Sequence, residues 1–130
     1  MGDRSNIYLT KRDRDTGALK SHVDLYYHWG GSDNFEVAKV ALKAAISRWR
    51  DDSYGTSLFL NSLFEQKAWP SGICIGSFDD NEYDVVEVCW SHQKVYIWPF
   101  MAHGELNLLN DFAAAKSIQT FEEFCAEKTE

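Results

Sequence analysis

Cysteine is scarce, long apolar runs are missing and positive charge is thin, and each shortage closes off a class of protein. Cys74, Cys89 and Cys125 form an odd set without a C-x-x-C spacing, and the first two sit inside apolar runs. That pattern argues against a disulfide scaffold and predicts reduced thiols in a cytosolic core. No apolar run approaches the ~20 residues of a membrane span. The start Met1-Gly2-Asp3-Arg4-Ser5-Asn6 is no signal peptide, and Asn6 stands where a myristoylation signal has Ser or Thr. The expectation is a cytoplasmic protein with no membrane partner.

Thirteen Lys and Arg face twenty Asp and Glu, for a formal net charge of −7. No basic footprint of the kind that binds nucleic acid is visible, so direct binding of DNA or RNA is not expected. The charge is nevertheless segregated: residues 1–50 hold nine of the cations against six acids, and residues 51–130 hold four against fourteen. What the chain has in plenty is aromatic surface, 15% of its residues including five tryptophans. Together with the length of 130 residues this predicts one folded domain over 1–130.

The stretch Tyr26-Tyr27-His28-Trp29-Gly30-Gly31-Ser32-Asp33 reads as a strand end, a glycine break and a helix start. Before it, Ile7 and Leu9 alternate with polar neighbours, and Val23, Leu25, Tyr27 and Trp29 resume the alternation after a turn signal at Asp15-Thr16-Gly17, which predicts a hairpin. After it, Asp33 with Glu36 fits a capping box opening a helix whose apolar stripe is Phe35, Ala38, Leu42, Ala45, Ile46 and Trp49. Asp51-Asp52-Ser53 caps a second helix, with Gly55 weakening its first turn. Residues 73–78, 83–90 and 95–100 read as a meander of three strands. Residues 101–116 fit a short helix or a packed loop, and Thr120 with Glu123 opens a final helix. The fold class expected is α+β: an antiparallel sheet of about five strands, two helices mainly on one face, and a short C-terminal helix.

Candidate chemistry is sparse. His22, Asp24 and His28 share a strand face, but residues six apart on a strand lie ~20 Å from each other, so no metal site is expected. Gly30-Gly31 before a helix resembles an anion-binding turn, yet Asp33 at the cap competes for the same amides. The acidic run Asp79, Asp80, Asn81, Glu82, Asp84 and Glu87 lacks the glycine bend and bidentate glutamate of a calcium loop and reads as a solvated turn or as a docking patch for a basic partner. No nucleophile motif is present and no cysteine lies in an electropositive segment, so no catalytic residue or cofactor is assigned. Binding is expected rather than catalysis, with a small enzyme of unknown reaction as an alternative.

Four segments in order carry a resemblance: Gly2-Asp3-Arg4-Ser5-Asn6-Ile7-Tyr8, Tyr27-His28-Trp29-Gly30-Gly31, Asp51-Asp52-Ser53-Tyr54-Gly55-Thr56 and Asp80-Asn81-Glu82-Tyr83. The chain resembles a family of small uncharacterised proteins encoded by bacteriophages and prophages. The resemblance implies a phage accessory protein in the host cytosol, acting against host defence. Its action would be to sequester a nucleotide immune signal or to block a defence protein. For the first role the candidate pocket is Asn6, Tyr8, His28, Trp29, Arg48 and Tyr54, in which aromatic faces stack a base and Arg48 pairs with phosphate. The positive charge such a ligand needs must come from Arg4, Lys11, Arg12, Lys20, Arg48 or Arg50. For the second role the candidate surface is Asp79, Asp80, Glu82 and Asp84, mimicking nucleic-acid phosphates. The aromatic load of Trp69, Trp90, Trp98 and Phe100 further predicts a homo-oligomer.

Overall fold

The computed structural model describes residues 5–27, 33–66, 73–75, 83–99 and 112–126. Strand β1 (Ser5–Arg12) and strand β2 (Leu19–Tyr27) form an antiparallel hairpin, with Ile7 opposite Leu25 and Leu9 opposite Val23. The turn between them is built by Asp13, whose Oδ1 accepts the amides of Asp15 and Thr16 at 2.9 and 2.8 Å. Gly17 supplies the left-handed residue at φ 75.

Helix α1 (Asn34–Ala44) and helix α2 (Asp52–Glu65) follow, joined through a 3-10 turn at Ile46–Arg48. The two capping signals behave differently. Asp51 has extended geometry, φ −123 and ψ 101, and its carboxylate accepts the Tyr54 amide. Asp33, at φ −99 and ψ 7, makes no side-chain cap bond, so the expected box with Glu36 does not form. A cap needs the extended backbone that Asp51 has and Asp33 lacks.

Strands β3 (Ile73–Ile75), β4 (Val85–Cys89), β5 (Lys94–Trp98) and β6 (Ser117–Thr120) complete one sheet in the order β3-β2-β1-β4-β5-β6. Helix α3 (Phe121–Ala126) ends the described chain, and its capping box is complete: Thr120 N–H donates to Glu123 at 2.8 Å and Glu123 N–H to Thr120 Oγ1 at 3.1 Å. The fold is α+β, as expected, with one departure. Residues 73–98 are no simple meander, because β3 pairs with β2 while β4 joins β1 in parallel. A parallel partner demands a crossover, which the segment from β2 through both helices provides. The sheet has six strands, in keeping with the expected number of about five, and Ser117–Thr120 adds an edge to β5 in a stretch with little strand signature.

The helices cover one face of the sheet. Ile7, Leu9, Leu25, Val86, Val88, Val95 and Ile97 meet Ala38, Leu42, Ala45, Phe59, Leu63, Phe121 and Phe124 in the main core. Ile46 is displaced from the expected stripe and stands 63% exposed, because the chain tightens into the 3-10 turn there and the helical spacing no longer holds. On the other face Tyr8, Val85, Cys89, Tyr96 and Trp98 form a second cluster, joined by Phe112. Trp90 and Trp98 are 4% and 1% exposed within the one chain, so neither supplies the apolar patch expected to drive self-association. Trp69 and Phe100 lie outside the described residues. No described helix is long and apolar enough to cross a membrane.

Candidate functional site

Because β1 and β4 run parallel, their C-terminal ends emerge together, and two turns that are far apart in sequence meet at one end of the sheet. The β1–β2 turn and the β4–β5 turn are stitched by reciprocal bonds: Arg12 N–H donates to Ser91 Oγ at 2.8 Å, and Ser91 O–H returns to the Arg12 carbonyl at 2.7 Å. His92 adds a clasp, with Nδ1 2.7 Å from the Tyr96 hydroxyl and Nε2 3.2 Å from the Asp13 carbonyl. A carbonyl only accepts, so Nε2 carries a proton; in the neutral ring Nδ1 then accepts from Tyr96.

Between these turns and the start of α2 lies an open cleft of about 1290 Å³. Its floor and walls include Trp90, Tyr96, Phe112 and Ile118, and Lys11, Arg14, Lys20, Arg50 and Lys94 line it with exposed side chains. Asp13, Asp15 and Asp52 also line it. Lys20 sits 3.8 Å from Asp13. Lys11, Arg14, Arg50 and Lys94 make no ion pair among the described residues, so in a chain of net charge −7 the cleft is a local excess of positive charge. The Asp13 carboxyl is held below the usual range, first by the Thr16 and Asp15 amides, which favour its charged form. The Tyr96 phenol is pushed up to about 12, chiefly by burial. Trp90 is a wall of the cleft, and its indole N–H is a buried donor without an acceptor among the described residues.

Arg12 lines the same cleft but does not offer its charge to it. Its guanidinium is fully buried and bonds Glu87 through Nε at 2.6 Å and Nη2 at 3.0 Å, and it donates to the Gly17 carbonyl at 2.9 Å. Thr10 Oγ1 and Trp98 Nε1 donate to the same Glu87 carboxylate at 2.7 and 3.0 Å. Phe112 lies against the guanidinium, 5.2 Å from ring centroid to Cζ. Arg12 is therefore an anchor of the fold rather than a free cation, and Glu87 belongs to no acidic surface.

The sequence-predicted pocket is divided. Arg48 and Tyr54 come together, with the guanidinium 4.7 Å from the ring centroid and both residues exposed. Asn6 and Tyr8 are buried, 0% and 3% exposed, and Tyr8 packs in the cluster on the face away from the helices. His28 and Trp29 lie outside the described residues. Of the acidic candidates, Asp84 pairs with Lys116 at 2.8 Å, and Asp79, Asp80 and Glu82 lie outside the described residues. His22 bonds Asp24 at 2.5 Å on β2, and no group of three metal-binding side chains occurs among the described residues.

Sequence reasoning named Lys11, Lys20 and Arg50 as sources of positive charge but missed Arg14, Lys94 and the His92–Tyr96 clasp. Ser91-His92-Gln93-Lys94 reads as a plain turn, and only the parallel β1–β4 pairing brings it beside Asp13. Comparison with protein-family models, curated proteins and solved structures gives no match for this chain.

Proposed function

We propose that the protein works by binding, and that it sequesters a small anionic ligand of the nucleotide type in the cleft between the β1–β2 and β4–β5 turns. One observation carries this: five exposed Lys and Arg gather around an aromatic-walled cleft in a chain whose net charge is negative. Charge of that sign attracts phosphate, and the half-buried Phe112 ring and the exposed Ile118 side chain offer apolar surface beside it. The group best suited to proton transfer there is committed elsewhere, since both His92 nitrogens are engaged. Tyr96, with its phenol at about 12, holds its proton near neutral pH. That supports binding over catalysis.

In the setting implied by the phage-protein resemblance, such a ligand is a nucleotide immune signal and its capture is a counter-defence. Calorimetry against a panel of cyclic and ADP-ribose-type nucleotides tests this. Heat with at least one of them, diminished at least tenfold in affinity by Arg50→Glu with Lys94→Glu, is the expected result. No heat with any at protein above ~100 μM overturns it for ordinary signalling affinities.

A further inference from the structure

The large cleft does not end at Arg50. A smaller cleft of about 360 Å³ lies beside it, lined by Ser47, Arg48, Asp51 and Glu122 among others, and Arg50 and Gln93 line both. The two clefts are therefore neighbours, with Arg50 and Gln93 standing between them, and we treat them together as the two halves of a groove. Along it the cations are spread over separate elements: Lys11, Arg14 and Lys20 on the β1–β2 hairpin, Lys94 on β5, Arg50 at the shared wall and Arg48 in the smaller part. Beyond Arg48 the exposed ring of Tyr54 is held against its guanidinium.

The shared wall is also tied to its neighbours by hydrogen bonds. Gln93 is the one non-glycine residue with positive φ among those described, at 53. Its backbone N–H and C=O and its side-chain Nε2 are all engaged. Its amide donates to the Trp90 carbonyl at 3.3 Å and its carbonyl accepts the Phe121 amide at 3.2 Å, while its side-chain Nε2 donates to the Trp49 carbonyl at 3.4 Å. A left-handed non-glycine residue is strained and persists where surrounding contacts over-determine it. These bonds tie the β4–β5 turn to the chain just before α2 and to the start of α3.

A single phosphate is bound best by donors that converge on one point. Here they are strung out, which matches a ligand whose phosphates are themselves strung out by covalent spacing. The start of α2 is no alternative focus, because Asp51 already takes the Tyr54 amide and Asp52 adds a second negative charge. Resting on the cleft reading above, we infer that the groove takes a short phosphodiester-linked oligonucleotide, running from the β1–β2 turn past Arg50 to Arg48 and Tyr54. The ligand is short because the chain as a whole repels a polyanion at −7.

The test is fluorescence anisotropy or calorimetry on the full chain with 5′-phosphorylated adenylates of one, two, three and four nucleotides. Affinity should rise at least about tenfold from the monomer to the trimer, with a salt dependence that steepens with length as more counterions are released. Arg48→Glu should lower trimer affinity about tenfold, while Lys43→Glu, an exposed charge change on α1 outside the groove, should change it less than about twofold. Equal affinity for monomer and trimer overturns the groove inference and leaves the cleft reading standing. A length dependence that Arg48→Glu alters no more than Lys43→Glu overturns the path past Arg48. Failure of every length to bind overturns the groove inference, while the cleft reading stands or falls on the cyclic and ADP-ribose-type panel above.

Discussion

On the helix-covered face of the sheet, strands and helices meet through side chains such as Leu9, Val88, Leu42 and Phe59, none more than 2% exposed and none polar. On the opposite face, equally buried, a charged pair sits in the middle: Arg12 and Glu87, both without side-chain exposure, with Thr10 and Trp98 bonded to the same carboxylate. The first face is held by burial, which is non-directional and tolerates exchange of one apolar shape for another. The second is held by directional bonds between β1, β4 and β5, so it fixes the register of the parallel pair and with it the position of the two turns that make the cleft. Substitutions that strike one face or the other separate these two kinds of stabilisation.

The largest effect should come from Arg12→Ala. It leaves the Glu87 charge buried without its partner, at a cost of about 3–5 kcal/mol, read as a shift in the urea midpoint at unchanged slope. The paired change Arg12→Met with Glu87→Leu removes both charges and should recover part of that loss, the remainder being about 1–3 kcal/mol for each of the Thr10 and Trp98 donors left without an acceptor. If Arg12→Ala costs less than about 1 kcal/mol, the charged pair is not what holds this face.

Leu42→Ala strikes the apolar face. A fully buried leucine leaves a cavity, and the expected loss is about 3 kcal/mol by chemical denaturation. The sharper contrast lies in the conservative changes. Leu42→Met should cost less than about 1.5 kcal/mol because volume is kept. Glu87→Gln, which also keeps volume, should cost more than that because it strands the Arg12 charge. Equal costs for the two would erase the distinction between the faces.

A smaller effect is expected at Gly55, where α2 passes over the end of β4. A Cβ there would lie 2.9 Å from the Arg48 carbonyl and 3.0 Å from the Trp90 ring. Alanine ordinarily favours a helix by about 1 kcal/mol over glycine. Here overpacking of about 1–3 kcal/mol should outweigh that gain, so Gly55→Ala should lower the melting temperature. A rise would mean that the Trp90 contact is loose.

This contrast also explains what could be read from the chain in advance. Alternation at Ile7 and Leu9 and the 3.6-residue spacing of Ala38, Leu42 and Ala45 reveal the apolar face, because burial leaves a periodic trace. The α+β class and the hairpin follow from that trace, and the Thr120–Glu123 cap follows from local bonding. The polar face leaves none: Lys11-Arg12 reads as the end of a strand, and Glu87 reads as one more carboxylate in an acidic run. Their pairing spans 75 residues and depends on a parallel register that no local pattern encodes. The cleft was half legible for the same reason. Its cations were visible as a surplus in the first fifty residues, but their convergence with Lys94 and His92 follows only from the pairing of β1 with β4.

The smallest effect concerns the rim where the polar face meets the cleft, and it is a matter of pH. The Tyr96 phenol rises from an ordinary 10.0 to about 12, first because burial disfavours the phenolate and then because Cys89 and Glu87 are near, with Arg12 opposing. A group whose folded-state pKa is raised binds its proton more tightly in the folded chain. Its contribution is therefore fully present below pH 10 and is lost as pH rises through about 12. Other tyrosines and lysines also titrate in that window, so the wild-type curve alone is not diagnostic, and the difference from Tyr96→Phe is. At neutral pH this variant should be less stable by about 1 kcal/mol, having lost the hydroxyl that His92 accepts. From pH 10 toward 12 the gap should close, as the wild type loses what the variant never had. Stability curves that stay parallel from pH 9 to 12 would show that Tyr96 ionises alike in the folded and unfolded chains, and equal stability of the two proteins at neutral pH would show that the His92–Tyr96 clasp does not hold the rim of the cleft.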